Sequence, residues 1–411
     1  MKFEKYPLAP ELQQNLIDNG YFRTTDIQYK AIPAIMNGED VLAIAQTGSG
    51  KTAAFAIPII NHIHNTKTNR SSNWVSCLIM VPTRELAKQI GEVFAKLCKH
   101  TRASSYAIYG GVEQDAQINQ LDGGVDIVIA TPGRMFDLIS QRKLNISSVS
   151  ILVLDEADHM LDLGFIEDIE NVKRILRQRH QTLFFSATIN PRIKKLAYSQ
   201  ISSNALRIQV SPENMVSKNV THSVVKVEMD QKRHLLVNFI KANPEAKCII
   251  FVRTQVRAER VLAHLAKNDI TAVSIHGGME QTEREKNLES FRNQPIGWLI
   301  ATDVTARGID LPTISHVINY DLPDEPENYV HRIGRTGRGF AKGDAISFYS
   351  FEEREKLAAI EEFIATPINQ LKVHKEHLEE AIKIDDSFSI ADMIAAEEAL
   401  MGPPRKKKKK K

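Results

Sequence analysis

The chain has 411 residues, 43% hydrophobic and 25% charged, the balance of a soluble globular protein, and a prior of about 150 residues per domain predicts two or three domains. Net charge is +3, of which the terminal Arg405–Lys411 run supplies +7, so the rest carries −4 and any affinity for polyanions must come from local patches. No apolar run approaches the roughly 18 residues that would span a bilayer. The start lacks the apolar stretch of a signal peptide, and scattered Cys77, Cys98 and Cys248 predict buried thiols in a reducing cytoplasm.

In chain order, residues 10–20 read as an amphipathic helix, with Pro10 near its start and Gly20 as its stop. A loop then leads to Gln28, which opens a second helical stretch. A lone Gln is ordinarily a surface residue, although its amide has the donor and acceptor for an adenine edge. The apolar run Val41–Ala45 comes next, followed by Gln46, Thr47, Gly48, Ser49, Gly50, Lys51 and Thr52. A strand, a Gly-rich turn and a helix start make a phosphate cradle. Lys51 would reach the β- and γ-phosphates and the Thr52 hydroxyl would hold Mg²⁺. Ala45 stands where the strict pattern has its first Gly.

Short apolar strands continue, each followed by a polar signature: Pro82-Thr83-Arg84, Gly110-Gly111, Thr131-Pro-Gly-Arg134, Asp155-Glu156-Ala-Asp158 and Ser186-Ala-Thr188. In an open parallel α/β sheet the carboxyl ends of the strands share one edge, where ligands bind, so these signatures are expected to converge. Asp155 suits a Walker-B carboxylate for Mg²⁺, and Glu156 a group that orients or deprotonates water. Acidic pairs also cap helices, but the apolar run before Asp155 and the upstream cradle favour the catalytic reading. Ser186 and Thr188 suit an N-cap equally well. Thr83, Arg84, Gly110, Gly111, Thr131 and Arg134 carry no interleaved aromatics, which suits contact with a phosphodiester backbone rather than with bases.

A polar, turn-rich stretch at 211–220 reads as a linker between domains 1–210 and 221–370. The strand–helix rhythm then restarts without a second cradle. It ends in His331-Arg-Ile-Gly-Arg335-Thr-Gly-Arg338, whose basic side chains and glycines suit phosphates on a neighbouring surface. Such a layout predicts a nucleotide site split between two domains, with arginine fingers from the second. Residues 371–411 read as a helical extension with a basic tail.

Taken together and in this order, these motifs resemble the DEAD-box family of ATP-dependent RNA helicases, over roughly residues 3–370. Ala45 is that family's usual residue at its position. The resemblance implies two tandem RecA-like domains, α/β with parallel sheets flanked by helices, closing on ATP and single-stranded RNA so that short duplexes come apart. It assigns Lys51, Thr52, Asp155 and Glu156 to ATP, Mg²⁺ and hydrolysis. A Q motif over residues 3–30 would place Gln28 at the adenine, with Arg23 beside it and Phe3 upstream. It assigns Ser186, Thr188, Asp158 and His331 to coupling, Asp310 to ATP from the second domain, and Arg335 and Arg338 to the fingers. Thr83, Arg84, Gly111, Thr131, Arg134, Thr254, Arg284 and Thr302 match positions on the RNA backbone.

Departures are Thr24-Thr25-Asp26 for a Pro-containing run, Gly278 for a common Asp and Thr305 for a common Ala. The compact core with a basic tail looks like the bacterial RhlE-type branch. The expected partners are RNA and proteins of ribosome assembly or RNA decay, with a monomeric core. The tail would be an electrostatic tether to RNA phosphates or a solubilising end. The competing function is a nucleotide-switched RNA clamp or chaperone with little unwinding, and a DNA-translocating relative is more distant.

Overall fold

The computed structural model describes residues 1–45, 48–67, 74–176, 178–210, 216–217, 219–306, 309, 311, 314–337 and 341–371. Fourteen strands are formed among them. The first seven are β1 (Val41–Ala45), β2 (Cys77–Met80), β3 (Ser105–Ile108), β4 (Ile127–Ala130), β5 (Ile151–Leu154), β6 (Gln181–Ser186) and β7 (Leu206–Val210). The rest are β8 (Val220–Lys226), β9 (Lys247–Phe251), β10 (Val273–Ile275), β11 (Gly297–Ala301), β12 (His316–Asn319), β13 (Gly343–Tyr349) and β14 (Asn369–Leu371).

They build two seven-stranded sheets, parallel throughout, in the orders β3-β4-β2-β5-β6-β1-β7 and β10-β11-β9-β12-β13-β8-β14. Numbered from its own first strand, each half follows the same permutation. The chain is thus two copies of one topology, as the restarted rhythm predicts.

The uninterrupted apolar runs have a direct cause. Successive strand residues point to opposite faces, and here both faces are covered by helices. In β1 and β2, Val41, Ala43, Cys77 and Ile79 join one core layer, while Leu42, Ile44, Leu78 and Met80 join the other. In β9, Ile249 and Phe251 divide from Cys248 and Ile250 in the same way. Phe55 ties the cradle helix to its sheet, with its ring 5.2 Å from Phe185 and 6.2 Å from Phe94. Cys77, Cys98 and Cys248 are free and buried.

The expected helix at 10–20 runs over Pro10–Asp18, and Gly20 turns the chain at φ 79°. Strands β7, β13 and β14 go beyond the sequence reading. A helix over Arg354–Ile364 precedes the expected extension at 371–411; residues 372–411, with the basic run, lie outside the described residues. No helix among the described residues is long and apolar enough to cross a membrane.

Candidate active site

Strand order sorts the signatures along one edge. Asp155 and the cradle follow β5 and β1, and Ser186 ends β6 between them; Gly110-Gly111, Thr131 and Thr83 follow β3, β4 and β2 on the other half. Residues separated by more than a hundred positions therefore adjoin.

In the cradle, Gly48 and Gly50 take φ of 84° and 93°, a conformation that side-chain-bearing residues rarely adopt. Gly50 caps the helix Lys51–Thr66. A Cβ on Gly50 would sit 2.5 Å from Gln28 Nε2, so the tight fit also demands glycine. Gln28 is buried. Its Nε2 donates to Gly50 O at 3.1 Å and its Oε1 accepts from Thr25 N at 2.9 Å, within a capping box. The amide expected at the adenine thus braces the cradle and keeps one N–H to spare. Phe3 is buried against Tyr6 and Tyr21, and Arg23 is exposed. Gln46, Thr47, Asp310 and Arg338 lie outside the described residues.

Lys51 Nζ is buried and has no hydrogen-bond partner among the described residues. A cation in that setting is unstable without an anion. Nearby stand Asp155, Glu156 and Asp158, all buried. Burial pushes the Asp155 carboxyl up to about 6, against the pull of Lys51. Burial acts on Glu156 too, but His159, Lys51 and Arg335 outweigh it and hold that carboxyl at about 2. His159 Nδ1 lies 3.5 Å from Glu156 Oε2, where charge acts and hydrogen bonding is at its limit. Glu156 itself takes the left-handed conformation, φ 52° and ψ 49°, at the start of the helix Ala157–Asp162, a strained state typical of functional positions.

Asp158 binds the Ser186-Ala-Thr188 turn. Its Oδ2 accepts from Ala187 N at 3.1 Å, Thr188 N at 3.0 Å and Thr188 Oγ1 at 3.2 Å, and Ser186 Oγ donates to Thr188 O at 2.8 Å. On residue type alone an N-cap was equally open for these hydroxyls; here they form a turn held by a carboxylate.

In the second domain Arg335 is buried, donating to Ile309 O at 2.8 Å and His331 O at 3.3 Å, and its charge reaches Glu156 in the first. Arg332 departs from the expectation for its run. It turns inward, forking onto Asp303 at 2.6 and 2.7 Å and over the Phe251 ring.

Along the other half of the edge, Thr83 Oγ1 accepts from Leu86 N at 3.3 Å and Thr254 Oγ1 from Arg257 N at 3.1 Å, each capping a helix. Thr131 precedes the helix Pro132–Ser140, and Arg134 donates to Val112 O at 3.0 Å. Arg84, Gly111 and Arg284 meet at a seam between the domains. Arg84 Nη1 donates to Gln281 Oε1 at 3.1 Å, and Arg284 Nη2 pairs with Glu85 Oε2 at 3.0 Å. A Cβ on Gly111 would overlap the Arg84 guanidinium.

Several contributors escaped sequence reasoning. Glu85 and Gln281 form the seam, and Gln117 clamps the Tyr109 backbone through Oε1 at 3.2 Å and Nε2 at 3.1 Å. Lys232 is fully buried, its Nζ 2.9 Å from Tyr320 O, 2.5 Å from Glu353 Oε2 and 3.8 Å from Asp321 Oδ1. Charge pairs buried in this way have no local sequence signal.

Residues 25–196 match the family model of the DEAD/DEAH box helicases, and residues 231–339 that of the helicase conserved C-terminal domain. The chain is similar to the ATP-dependent RNA helicase RhlB of Shewanella oneidensis, 38% identical over 395 residues covering 92% of this chain and 90% of that one. It is 36% identical to the DEAD-box ATP-dependent RNA helicase RhpA of Helicobacter pylori over 392 residues, 95% of this chain and 78% of that one. Among solved structures it resembles the DEAD-box helicase Mss116 bound to ssRNA and UDP-BeF, with TM-score 0.82, 29% identity and coverage of 93% and 81%. It also resembles S. cerevisiae Dbp5 bound to RNA and ADP BeF3, with TM-score 0.81, 29% identity and coverage of 93% and 99%. Neither of these two bacterial relatives carries the RhlE name, so that branch stays an expectation of the sequence. Motifs, twin sheets and likeness over nearly the whole length agree that the chain belongs to the DEAD-box family of ATP-dependent RNA helicases.

Proposed function

We propose that the chain is an RNA-stimulated ATPase that couples ATP binding and hydrolysis to closure of its two domains on RNA, and so to local unwinding of short duplexes. The meeting of two half-sites carries this reading: Arg335 of the second domain acts on Glu156 of the first, beside an unpartnered Lys51. A triphosphate supplies the hydrogen-bond acceptor Lys51 lacks. The backbone from Ala45 to Lys51 cradles it, with Gln46, Thr47 and Ser49 in the loop. Thr52 and Asp155 would hold Mg²⁺, partly through water. Among the described residues no cluster of three or more His, Cys, Asp or Glu side chains could hold a metal alone, which suits Mg²⁺ shared with phosphates and water. When bound, Mg²⁺ neutralises phosphate charge.

Glu156, ionised through the neutral range, accepts a hydrogen bond from the attacking water and orients it. Arg335 and Arg338 stabilise charge on the transferring phosphoryl group. The spare N–H of Gln28 reads the adenine, with Arg23 beside it and Phe3 supporting the loop; Asp310 touches ATP from the second domain. Asp158 links the hydrolytic carboxylates to Ser186 and Thr188, and His331, on the helix Pro326–Ile333 of the second domain, takes part in the same coupling. Thr83, Arg84, Gly111, Thr131, Arg134, Thr254, Arg284 and Thr302 contact the RNA backbone.

A cytoplasmic setting in ribosome assembly or RNA decay, a monomeric core and domains near 1–210 and 221–370 complete the proposal. Displacement of a strand from a short RNA duplex with ATP tests it. Tight RNA binding without displacement would instead make the protein a nucleotide-switched clamp.

A further inference from the structure

The hydroxyls expected on the RNA edge differ in polarity. Thr83 Oγ1 and Thr254 Oγ1 each accept a backbone N–H from the first turn of a helix. One lone pair of each is engaged inward and the proton is left to donate outward, which matches a phosphate oxygen, an acceptor only.

Thr302 is wired the other way. Its Oγ1 lies 3.0 Å from Thr305 Oγ1. Thr305 is 1% exposed, and its hydroxyl has two carbonyls within reach, Ile275 O and Thr302 O, each at 3.0 Å. A carbonyl oxygen cannot donate, so the single Thr305 proton serves one of these two oxygens or the Thr302 hydroxyl. Thr302 O already accepts from the amides of Thr305 at 3.1 Å and Ala306 at 3.0 Å, which leaves Ile275 O the less loaded acceptor. With the Thr305 proton on Ile275 O, Thr302 donates the bond between the two hydroxyls. Its proton points inward and its lone pairs face the edge.

We infer that Thr305 makes Thr302 an outward-facing acceptor, and that this pair selects RNA over DNA by accepting a hydrogen bond from a ribose 2′-OH. Phosphate and deoxyribose offer no donor, so within the sugar–phosphate backbone only the 2′-OH matches that polarity. To donate to a phosphate, Thr302 must break its bond to Thr305, a loss worth about two- to tenfold in binding. Alanine at position 305 removes that obstacle. This inference rests on the reading of Thr302 as a backbone contact.

The test compares half-stimulating concentrations of an RNA oligonucleotide and its all-deoxy counterpart in ATP turnover. Thr305→Ala and Thr305→Val should lower the RNA preference by about two- to tenfold, while Thr305→Ser restores it. Equal loss of both ligands, or an unchanged ratio, overturns the inference. Thr302→Val checks the underlying reading separately: it should weaken RNA binding, and unchanged affinity would remove Thr302 from the interface. A readout independent of the Thr305 variants uses RNA with single 2′-deoxy substitutions. One position should cost wild type about two- to tenfold and cost Thr302→Val nothing; no such position overturns the inference.

Discussion

Asp158 holds Thr188 twice, through its amide at 3.0 Å and its hydroxyl at 3.2 Å. That turn follows β6, while Asp158 lies two residues after Glu156. Movement of the acidic loop is therefore transmitted to Thr188 by hydrogen bonds to a single oxygen. Asp158→Ala should leave nucleotide affinity close to wild type and reduce strands displaced per ATP hydrolysed by about tenfold, since a buried charged acceptor with several donors is lost. Parallel assays of turnover and displacement measure the ratio, and equal loss in both would place Asp158 in hydrolysis instead.

Glu156→Gln keeps the side chain's size and removes its charge. Binding of a fluorescent ATP analogue should persist, while RNA-stimulated turnover falls by about 10²-fold or more. Turnover within a few-fold of wild type would take Glu156 out of the water-orienting role.

The seam offers a test of closure. Glu85 and Arg284 pair at 3.0 Å with both side chains largely buried, and breaking one side of such a pair is costly. Glu85→Ala should reduce the mutual enhancement of RNA and ATP-analogue binding by about tenfold or more, equally in both directions as linkage requires. In a double-mutant cycle with Arg284→Ala the two losses should not add. Full additivity would mean that the pair does not act as a unit.

Asp155 gives a prediction in pH. Its folded-state pKa, about 6, lies above the ordinary value near 4. The folded chain therefore holds more protons than the unfolded chain between those limits, and stability falls as pH rises through that window. Asp155→Asn removes this penalty. In nucleotide-free protein the variant should gain stability over wild type, beginning near pH 4 and levelling off above about pH 6 at roughly 3 kcal/mol. Chemical denaturation at pH 4 and pH 8 measures the gain, and an equal difference at both would exclude ionisation as its origin.

The fold was legible because strands buried on both faces are apolar without interruption, as in Ile151–Leu154 and Cys248–Phe251. β7 was missed because Leu206 and Arg207 lie exposed at a sheet edge. β13 was missed because buried Ser347, held by Asn319 at 2.9 Å, breaks its apolar pattern. At the site, residues following strands could be read from order alone. The Glu85–Arg284 pair could not, because nearly two hundred residues separate its members. Nor could the inward turn of Arg332, since a run of basic residues does not say which member has a half-buried aspartate waiting.

The shared strand permutation gives the Lys232 cluster a meaning. Lys51 opens the helix after β1, and Lys232 opens the helix after β8, the corresponding strand. Asp155 follows β5, and Asp321 follows the corresponding β12 by one further residue. The second domain thus retains a lysine and an aspartate at the places where the first takes its triphosphate. There, however, the ammonium is already neutralised from within, by Glu353 at 2.5 Å. One half of the molecule thus carries the topological counterpart of the cradle lysine already paired with its own carboxylate, and the expected stoichiometry is one ATP per chain.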